Sequence, residues 1–169
     1  EFEEVRPCLS CQEGCMGRLA AYAQISCAVN PACGREAEYG LTPAMASKEI
    51  LIVGGGVAGM EAARVSAMRG HKVTLCEKAS SLGGNLIPGG APGFKEDDHA
   101  LIRWYDLQLK KLGVDVQLNK TITIEELKAS KADEIILATG SNPKMLKIQG
   151  AEMLAAEDVL TEKADAGKS

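Results

Sequence analysis

The chain has 169 residues, of which 46% are hydrophobic, 25% charged and only 4% aromatic. This balance is typical of an ordinary soluble globular protein with room for one domain and a small appendage. A net charge of -4 provides no basic surface for nucleic acid or an anionic membrane. No apolar run approaches the length of a membrane span or a signal-peptide core, so we expect a cytoplasmic protein.

Residues 1–46 hold five of the six cysteines and no strand-like run. In a cytoplasmic chain, such a group more often ligates metal than forms disulfides. Four of the cysteines follow the spacing C-x2-C-x3-C-x11-C: Cys8, Cys11, Cys15 and Cys27. The spacing matches neither the paired CxxC motifs common in zinc sites nor the common bacterial ferredoxin pattern. It predicts a four-thiolate site and leaves zinc and an iron–sulfur cluster open, with Cys33 outside the pattern.

From Ser47 onward the pattern becomes that of an α/β domain. The apolar run Glu49–Val53 is typical of a buried parallel strand, and residues 58–69 predict a helix closed by a glycine. Residues 72–76 predict a second strand. Strand, glycine turn, helix and strand within about thirty residues indicate a βαβ unit.

A GxGxxG motif lies between the first strand and the helix. Its glycines would allow a tight turn, close approach to a pyrophosphate, and close packing of helix on strand. The pyrophosphate would lie at the helix N-terminus, where free N–H groups favour an anion. An acidic residue follows the second strand, at the place where such a side chain binds ribose hydroxyls. The predicted dinucleotide contacts are Gly54, Gly55, Gly56, Val57, Ala58, Gly59, Glu77 and Lys78.

Downstream, residues 83–93 are rich in glycine and proline, which is typical of a functional loop. The remaining elements are predicted from hydrophobic periodicity. They are a helix over 97–112, a strand over 114–118, a helical turn over 124–129 and a fourth strand over 134–138. The predicted fold class is therefore α/β, with a Rossmann-like parallel sheet.

The order of these motifs resembles that of the two-dinucleotide-binding flavoproteins. Leu82-Gly83-Gly84-Asn85 follows the acidic residue, and ADEIILATG occupies residues 132–140. In that group the second glycine pair lies beside the flavin, and the strand ending in ATG passes near the ribityl chain. Residues 121–123 weakly resemble the segment that reads the adenine. The resemblance implies FAD, with further contacts from Gly83, Gly84, Asn85, Ile122, Ala138, Thr139 and Gly140.

The resemblance narrows when the cysteine segment and the FAD motifs are taken together. The segment reads RPCLSCQEGC at residues 6–15 and SCAVNP at residues 26–31, and the FAD motifs follow it. This order resembles the junction between two domains in one family of flavin enzymes. That family is the 2,4-dienoyl-CoA reductase and 2-enoate reductase family, which includes NADH oxidases of anaerobes. The resemblance extends over nearly all of residues 6–150. It implies that the four cysteines named above bind a [4Fe–4S] cluster.

Members of that family carry an FMN-binding TIM barrel before the cysteines and an NAD(P)H-binding domain after the FAD motifs. The resemblance implies a relay from NAD(P)H through FAD and the cluster to FMN, which reduces an activated C=C bond. It also implies that this chain is a fragment without catalytic residues of its own. Its partners would be the barrel and the NAD(P)H domain of the parent chain. We predict an iron–sulfur segment over 1–46, an incomplete FAD domain over 47–160 and a linker over 161–169.

Two other interpretations remain. One is an electron-transfer protein resembling trimethylamine dehydrogenase, which holds ADP or FAD. The other is a zinc-stabilised nucleotide-binding module without activity. The intact flavin-side motifs and the three-residue gap between the second and third cysteines favour the reductase fragment.

Overall fold

The computed structural model describes residues 2–150 and 153–167. Within these residues the strands form one parallel sheet of order β3-β2-β1-β4. Its strands are β1 (Glu49–Val53), β2 (Lys72–Cys76), β3 (Asp115–Gln117) and β4 (Glu134–Leu137). The predicted α/β class and the parallel sheet are confirmed.

Six α-helices lie in the described residues: α1 (Arg18–Ala20), α2 (Val57–Met68), α3 (Leu86–Gly89), α4 (Glu96–Lys111), α5 (Ile124–Ala129) and α6 (Ala156–Leu160). Single 3-10 turns occupy Phe2–Glu4 and Gly93–Lys95, and a π-helical turn occupies Glu13–Gly17. The long helices α2 and α4 pack against each other, and α2 also packs on the sheet.

One face of the sheet carries the hydrophobic core. The register aligns Ile52 with Leu75 on one side and with Ile136 on the other, so these side chains point the same way. Ile52 and Leu75 are fully buried together with Met60 of α2. Each such side chain contributes roughly 1.5–3 kcal/mol through burial, so this face dominates the stability of the fold.

The opposite face of the sheet is more open. Leu51 and Val53 on β1 are half-buried, while Leu137 on β4 is 64% exposed. The sheet is therefore covered by long helices on one face only among the described residues.

The cysteine segment, residues 1–46, is built differently from the sheet. None of its described side chains, residues 3–46, is buried, and no strand occurs among them. Around and after Cys15, its helical elements are the π turn and α1, which together reach only to Ala20. Tyr22, shortly after α1, has a left-handed backbone conformation with φ of 52°, so the helix does not continue through it.

Several element bounds differ slightly from prediction. β3 has three residues, and β4 ends at Leu137, one residue before the predicted end. The loop at 83–93 contains α3, a single turn too short to show a helical period. α6 was not predicted. The boundaries after residues 46 and 160 stay predictions, and residues 168–169 of the predicted linker lie outside the described residues.

No helix in the described ranges is both long and apolar enough to cross a membrane.

Candidate dinucleotide site and cysteine cluster

Gly54 joins the ends of three strands. Its N–H donates to the carbonyl oxygen of Cys76 at 2.8 Å, and its φ of +110° suits only glycine. A Cβ at Gly54 would lie 2.2 Å from the carbonyl oxygen of Ala138. The first glycine of the motif is therefore required by the approach of β1, β2 and β4.

The other two motif glycines have different surroundings. A Cβ at Gly59 would lie 1.8 Å from the carbonyl oxygen of Gly54, so the start of α2 packs directly on the turn. A Cβ at Gly56 would meet only the Cα of Gly84, at 4.0 Å. Gly56 is thus open on its outer side, next to the exposed Val57 and Ala58 at the N-terminus of α2. This open space is where the fingerprint predicts the pyrophosphate.

Glu77 is buried at the end of β2, only 8% exposed. One carboxylate oxygen accepts from the N–H of Gly55 at 2.5 Å, and the other accepts from the N–H of Ala79 at 2.7 Å. Each oxygen retains a further lone pair for a ribose hydroxyl. The carboxylate is therefore fixed in orientation by the backbone, whereas the neighbouring Lys78 is exposed.

The second glycine pair lies directly against the first motif. Gly83 donates its N–H to the carbonyl oxygen of Gly55 at 2.9 Å and bridges to Gly56. Gly83 and Gly84 have φ of +129° and +52°, and a Cβ at Gly84 would lie 3.0 Å from the Cα of Gly56. Asn85 begins α3 and is exposed. Two backbone turns without side chains thus face one another.

The remaining predicted residues lie at the same edge of the sheet. Ala138 donates its N–H to the carbonyl oxygen of Val53 at 2.8 Å, while Thr139 and Gly140 are exposed beyond β4. Ile122 is half-buried in the segment after β3, near Lys120, whose N–H donates to the carbonyl oxygen of Glu77 at 2.8 Å. All predicted dinucleotide residues follow the carboxyl ends of strands, the usual ligand edge of such sheets. The cradle of glycines fits a dinucleotide.

The cysteine segment folds back on itself at Gly14. The carbonyl oxygen of Gly14 accepts from the N–H of Ser26 at 2.7 Å, and a Cβ at Gly14 would lie 2.7 Å from the oxygen of Ser26. This contact places the chain beside Cys15 against the chain beside Cys27. Only glycine allows so close an approach.

Cys8 and Cys27 line one cleft of about 640 Å³, together with residues of α2. The N–H of Ser10 donates to the sulfur of Cys8 at 3.3 Å. Cys8 and Cys11 are exposed, and Cys15 and Cys27 are half-buried. Cys8 and Cys27 therefore share one cleft, and the Gly14–Ser26 contact brings the chain beside Cys15 against the chain beside Cys27.

In the part of the chain that the structure describes, no three His, Cys, Asp or Glu side chains converge on a single metal ion. The four thiolates of a cubane cluster each bind a different iron, so a cluster site does not require such convergence. The donor set, four cysteines on one short segment, suits iron–sulfur chemistry.

Cys76 is a buried thiol in the core, only 2% exposed. Burial raises the pKa of Cys76, so it stays protonated at neutral pH.

Arg6 is a residue that motif reasoning missed. It donates to the carbonyl oxygen of Val29, and its other guanidinium nitrogen lies 3.2 Å from a carboxylate oxygen of Glu61 on α2. Its guanidinium carbon lies 4.4 Å from the ring centroid of Trp104 on α4. The signal in the sequence was an arginine two residues before the first cysteine, and it points to no partner by itself.

The carboxyl group of Glu61 has a lowered pKa. Burial acts to raise the pKa of Glu61, but the hydrogen bonds and charge of Arg64, together with the charge of Arg6, outweigh it. The pKa therefore lies below its ordinary value of 4.5. Burial and the Glu61 charge raise the pKa of Tyr105 to about 12. At physiological pH the carboxyl group of Glu61 is therefore ionised, and the phenol of Tyr105 is neutral.

Comparison with known proteins agrees with this geometry. The sequence pattern of the family described as pyridine nucleotide-disulphide oxidoreductase matches residues 48–167. The cinnamate reductase of Clostridium sporogenes is 61% identical over 169 residues, covering 99% of this chain and 25% of that protein. The NADH oxidase of Thermoanaerobacter brockii is 40% identical over 98% of this chain and 26% of that protein.

Among solved structures, a 2-naphthoyl-CoA reductase in complex with 2-naphthoyl-CoA superposes with a TM-score of 0.92 at 36% identity. It covers 98% of this chain and 26% of that chain. This chain therefore spans about a quarter of the length of the curated relatives that it matches.

Proposed function

The chain belongs to the pyridine nucleotide-disulphide oxidoreductase family, and from that premise we propose that it is the FAD-binding and cluster-binding portion of an NAD(P)H-dependent ene-reductase. One observation carries the proposal. The two glycine turns at 54–59 and 83–84 face each other around the open edge at Gly56, with the fixed carboxylate of Glu77 beside them. The contacts at the other glycines and the opening at Gly56 are what a bound dinucleotide requires.

The chain's own residues would bind and orient the dinucleotide. The N-terminus of α2 supplies free N–H groups and a positive dipole end for the pyrophosphate. Glu77 accepts hydrogen bonds from the ribose, already held in place by the N–H groups of Gly55 and Ala79. The backbone of Gly83 and Gly84, which no side chain shields, would approach the flavin side. FAD, when bound, supplies the exchange between two-electron and one-electron transfer.

The four cysteines would hold a [4Fe–4S] cluster, which supplies one-electron transfer toward the rest of the parent enzyme. Support comes from the thiol-only donor set, from the amide contact to the sulfur of Cys8, and from the close backbone contact at Gly14. A protein that keeps these thiols reduced functions in a reducing compartment, so we place it in the cytoplasm.

For the parent enzyme we propose reduction of an activated C=C bond of an enoate or enoyl thioester. Two electrons and two protons are added across the double bond, and NAD(P)H is the reductant. The relatives named cinnamate reductase and 2-naphthoyl-CoA reductase support this substrate class. The FMN site, the NAD(P)H site and the proton donor would belong to the parts of the parent outside these residues.

The test is anaerobic reconstitution of the full chain with FAD, iron and sulfide, followed by cofactor analysis and visible spectroscopy. We expect flavin bands above a broad iron–sulfur absorption, with about four irons and four sulfides per chain. Stoichiometric zinc in a colourless protein would contradict the proposal. Bound ADP in place of FAD would favour the electron-transfer interpretation instead.

A glycine pair sharpens the same experiment. Gly56→Ala places a methyl group in the open space without touching the protein closely, so the fold should be retained. We expect FAD affinity to fall by at least about tenfold, or 1.4 kcal/mol, because the methyl group blocks approach of the pyrophosphate. Gly40→Ala is the matched control, since its Cβ makes only an ordinary contact of 3.4 Å in the cysteine segment. Equal FAD affinity in both variants would remove Gly56 from the site.

A further inference from the structure

Arg6 contacts both halves of the cysteine segment and the dinucleotide domain at once. Two residues before Cys8, its guanidinium donates to the carbonyl oxygen of Val29, which lies two residues after Cys27. The same guanidinium contacts both carboxylate oxygens of Glu61 at 3.2 and 3.4 Å. One side chain thus joins the chain near the first cysteine, the chain near the fourth cysteine, and helix α2.

Helix α4 completes the environment of this guanidinium. Arg6 lies over the ring of Trp104 at 4.4 Å and over that of Tyr105 at 5.7 Å, and these two rings pack edge to face. The indole N–H of Trp104 donates to the carbonyl oxygen of Glu4 at 3.0 Å. Arg64 supports the carboxylate of Glu61 from the other side through two hydrogen bonds of 2.8 Å. The guanidinium is therefore enclosed by two helices and by its own segment.

The degree of burial separates this ion pair from an ordinary surface pair. The side chains of Arg6 and Glu61 are 16% and 21% exposed. Those of Arg103 and Glu96, an ion pair formed by a residue of α4 and the first residue of the same helix, are 64% and 66% exposed. Exposed pairs contribute little because water and salt screen them, whereas a half-buried pair that also stacks on an aromatic ring is screened much less.

The cysteine segment has other attachments, and most of them lie near its two ends. Glu4 contacts Trp104 and Lys111 of α4, and Thr42 and Ala44 contact Arg69. Closer to the cysteines, Leu9 and Val29 pack against the core, only partly buried.

None of the described side chains of the cysteine segment is buried. The contact of its cysteine loop with α4 is a hydrogen bond of 3.0 Å from the hydroxyl of Ser10 to Asp97, in an exposed position. The Arg6 cluster, which we define as Arg6, Glu61, Arg64 and Trp104, therefore links the chain near both Cys8 and Cys27 to α2 and α4.

We propose that Arg6 is the positioning residue that fixes the cysteine segment on α2 and α4, and so sets the separation of the iron–sulfur cluster from the flavin. This inference rests on the proposed function, since it assumes that both groups are bound. Arg6 touches neither group. It acts through Val29, Glu61 and Trp104.

Arginine is required here and lysine is not equivalent. The planar guanidinium donates to Val29 and Glu61 in two directions while lying over the indole ring. An ammonium group is a compact donor that keeps the charge but cannot make these contacts together. Arg6→Lys is therefore a charge-preserving variant that removes the geometry.

The experiment compares wild type with Arg6→Gln, Arg6→Lys and the control Arg103→Gln, each in the full chain reconstituted with FAD, iron and sulfide. The first readout is amide hydrogen exchange over residues 24–30 in the unloaded chain. We expect exchange at least about tenfold faster in both Arg6 variants, because removing one partner of a half-buried pair loosens the attached segment. Arg103→Gln should exchange as wild type does.

The second readout is the rate of electron transfer between flavin and cluster in the loaded chain. The chain is mixed with dithionite as the one-electron reductant, and the transfer is followed by stopped-flow absorption and corrected for iron content. We expect slower transfer in Arg6→Gln and Arg6→Lys, with the absorption spectra of both cofactors unchanged. A double-mutant cycle with Glu61→Gln should be non-additive, because both substitutions remove the same contact. A merely structural role would lower cofactor content without slowing transfer in the chains that remain loaded.

The outcomes separate the two proposals. A wild-type chain that holds no cluster after reconstitution overturns the proposed function. A loaded wild type with Arg6 variants that match Arg103→Gln in exchange and transfer rate overturns the positioning role alone. Should Arg6→Gln lose the circular dichroism of the sheet, the charge-preserving Arg6→Lys decides the question by its transfer rate.

Discussion

In the sheet domain, side chains such as Ile52, Leu75 and Leu109 are completely buried, whereas the cysteine segment has no buried side chain among residues 3–46. The sheet domain is stabilised by apolar burial and by a parallel hydrogen-bond ladder. The cysteine segment relies on backbone turns, on the Arg6 cluster and on the ligation that we propose for its cysteines. The first region specifies its own fold, whereas the second lies against that fold and, in our proposal, is ordered further by the cluster that it binds.

This difference explains where glycine is indispensable in each region. In the sheet domain, Gly54 and Gly59 allow backbone and helix to pack at the nucleotide edge. In the cysteine segment, Gly14 allows two stretches of loop backbone to touch beside Cys15 and Cys27. In one place glycine shapes a cradle on a stable core, and in the other it closes a loop that has no core.

The largest effect is expected at the sheet. Gly59→Ala would place a methyl group 1.8 Å from the backbone oxygen of Gly54, which neither β1 nor α2 can avoid without moving. We expect a loss of at least about 3 kcal/mol in the free energy of unfolding, measured by urea denaturation. Gly56→Ala, with 4.0 Å of clearance, is the matched control and should unfold as wild type does. Equal stability of the two variants would show that the turn is more plastic than its geometry indicates.

The second prediction acts on the cysteine segment alone. Cys15→Ser, or removal of iron with a chelator, should speed hydrogen exchange within residues 8–30 by roughly 100-fold, about 2.8 kcal/mol. The sheet strands should keep their protection, because their core contains none of the four cysteines of the C-x2-C-x3-C-x11-C pattern. Cys76→Ser is not a suitable control, since that thiol is buried, so Cys33→Ser serves instead. Simultaneous loss of protection in β1 and β2 would mean that the two regions fold as one unit.

The contrast between the regions also decides how much of the molecule was predictable from sequence. β1, β2 and α5 have the predicted bounds, because apolar runs and caps record them locally. The approach of the second glycine pair to the first glycine motif could be predicted from the order of the motifs along the chain. The position of both motifs at one edge of the sheet could be predicted from the parallel direction of its strands. The contacts of Arg6 with Glu61 and Trp104 could not be predicted, since they join residues 55 and 98 positions apart without any periodic signal.

Glu77 shows what the structure adds even to a recognised motif. Sequence reasoning gave it a single role at the ribose. The structure shows that the same carboxylate accepts from Gly55 and Ala79. Glu77→Ala would therefore leave two backbone N–H groups without their acceptor, and weaker FAD binding in that variant would mix ligand and fold effects.

The third prediction concerns acid and the link between the two regions. The pKa of Glu61 lies below its ordinary value of 4.5 in the folded chain, so its contribution to stability is present above pH 4.5. That contribution is lost as pH falls through the folded pKa. The charged and titratable groups that face it are Arg64, Arg6 and Tyr105.

Glu61→Gln removes the charge at every pH. We expect it to cost about 1–2 kcal/mol of unfolding free energy at pH 7, because two arginines lose a charged acceptor. The difference from wild type should shrink steadily as pH falls below 4.5. Urea denaturation of both proteins between pH 7 and pH 3 measures it. A difference that stays constant across this range would mean that Glu61 packs by shape and not by charge.

The smallest effect is expected at α5, which shows that local bonds also matter within the sheet domain. The hydroxyl of Thr123 accepts from the N–H of Glu126 at 3.2 Å, and the carboxylate of Glu126 accepts from the N–H of Thr123 at 2.8 Å. None of the residues of α5 is buried, so this capping box, and not a core, defines where the helix begins. Thr123→Ala should cost about 1 kcal/mol or less, with faster exchange confined to residues 124–129.

Thr121→Ala is the control for that change, since Thr121 is exposed and its hydroxyl makes no hydrogen bond within residues 2–150 and 153–167. If the capping box acts only locally, FAD affinity stays unchanged in Thr123→Ala, although Ile122 is its neighbour. A fall in FAD affinity that is specific to Thr123→Ala would instead mean that the box holds the 121–123 backbone in the form that contacts the adenine. α5 would then resemble the cysteine segment, as a coreless element whose order serves a bound group.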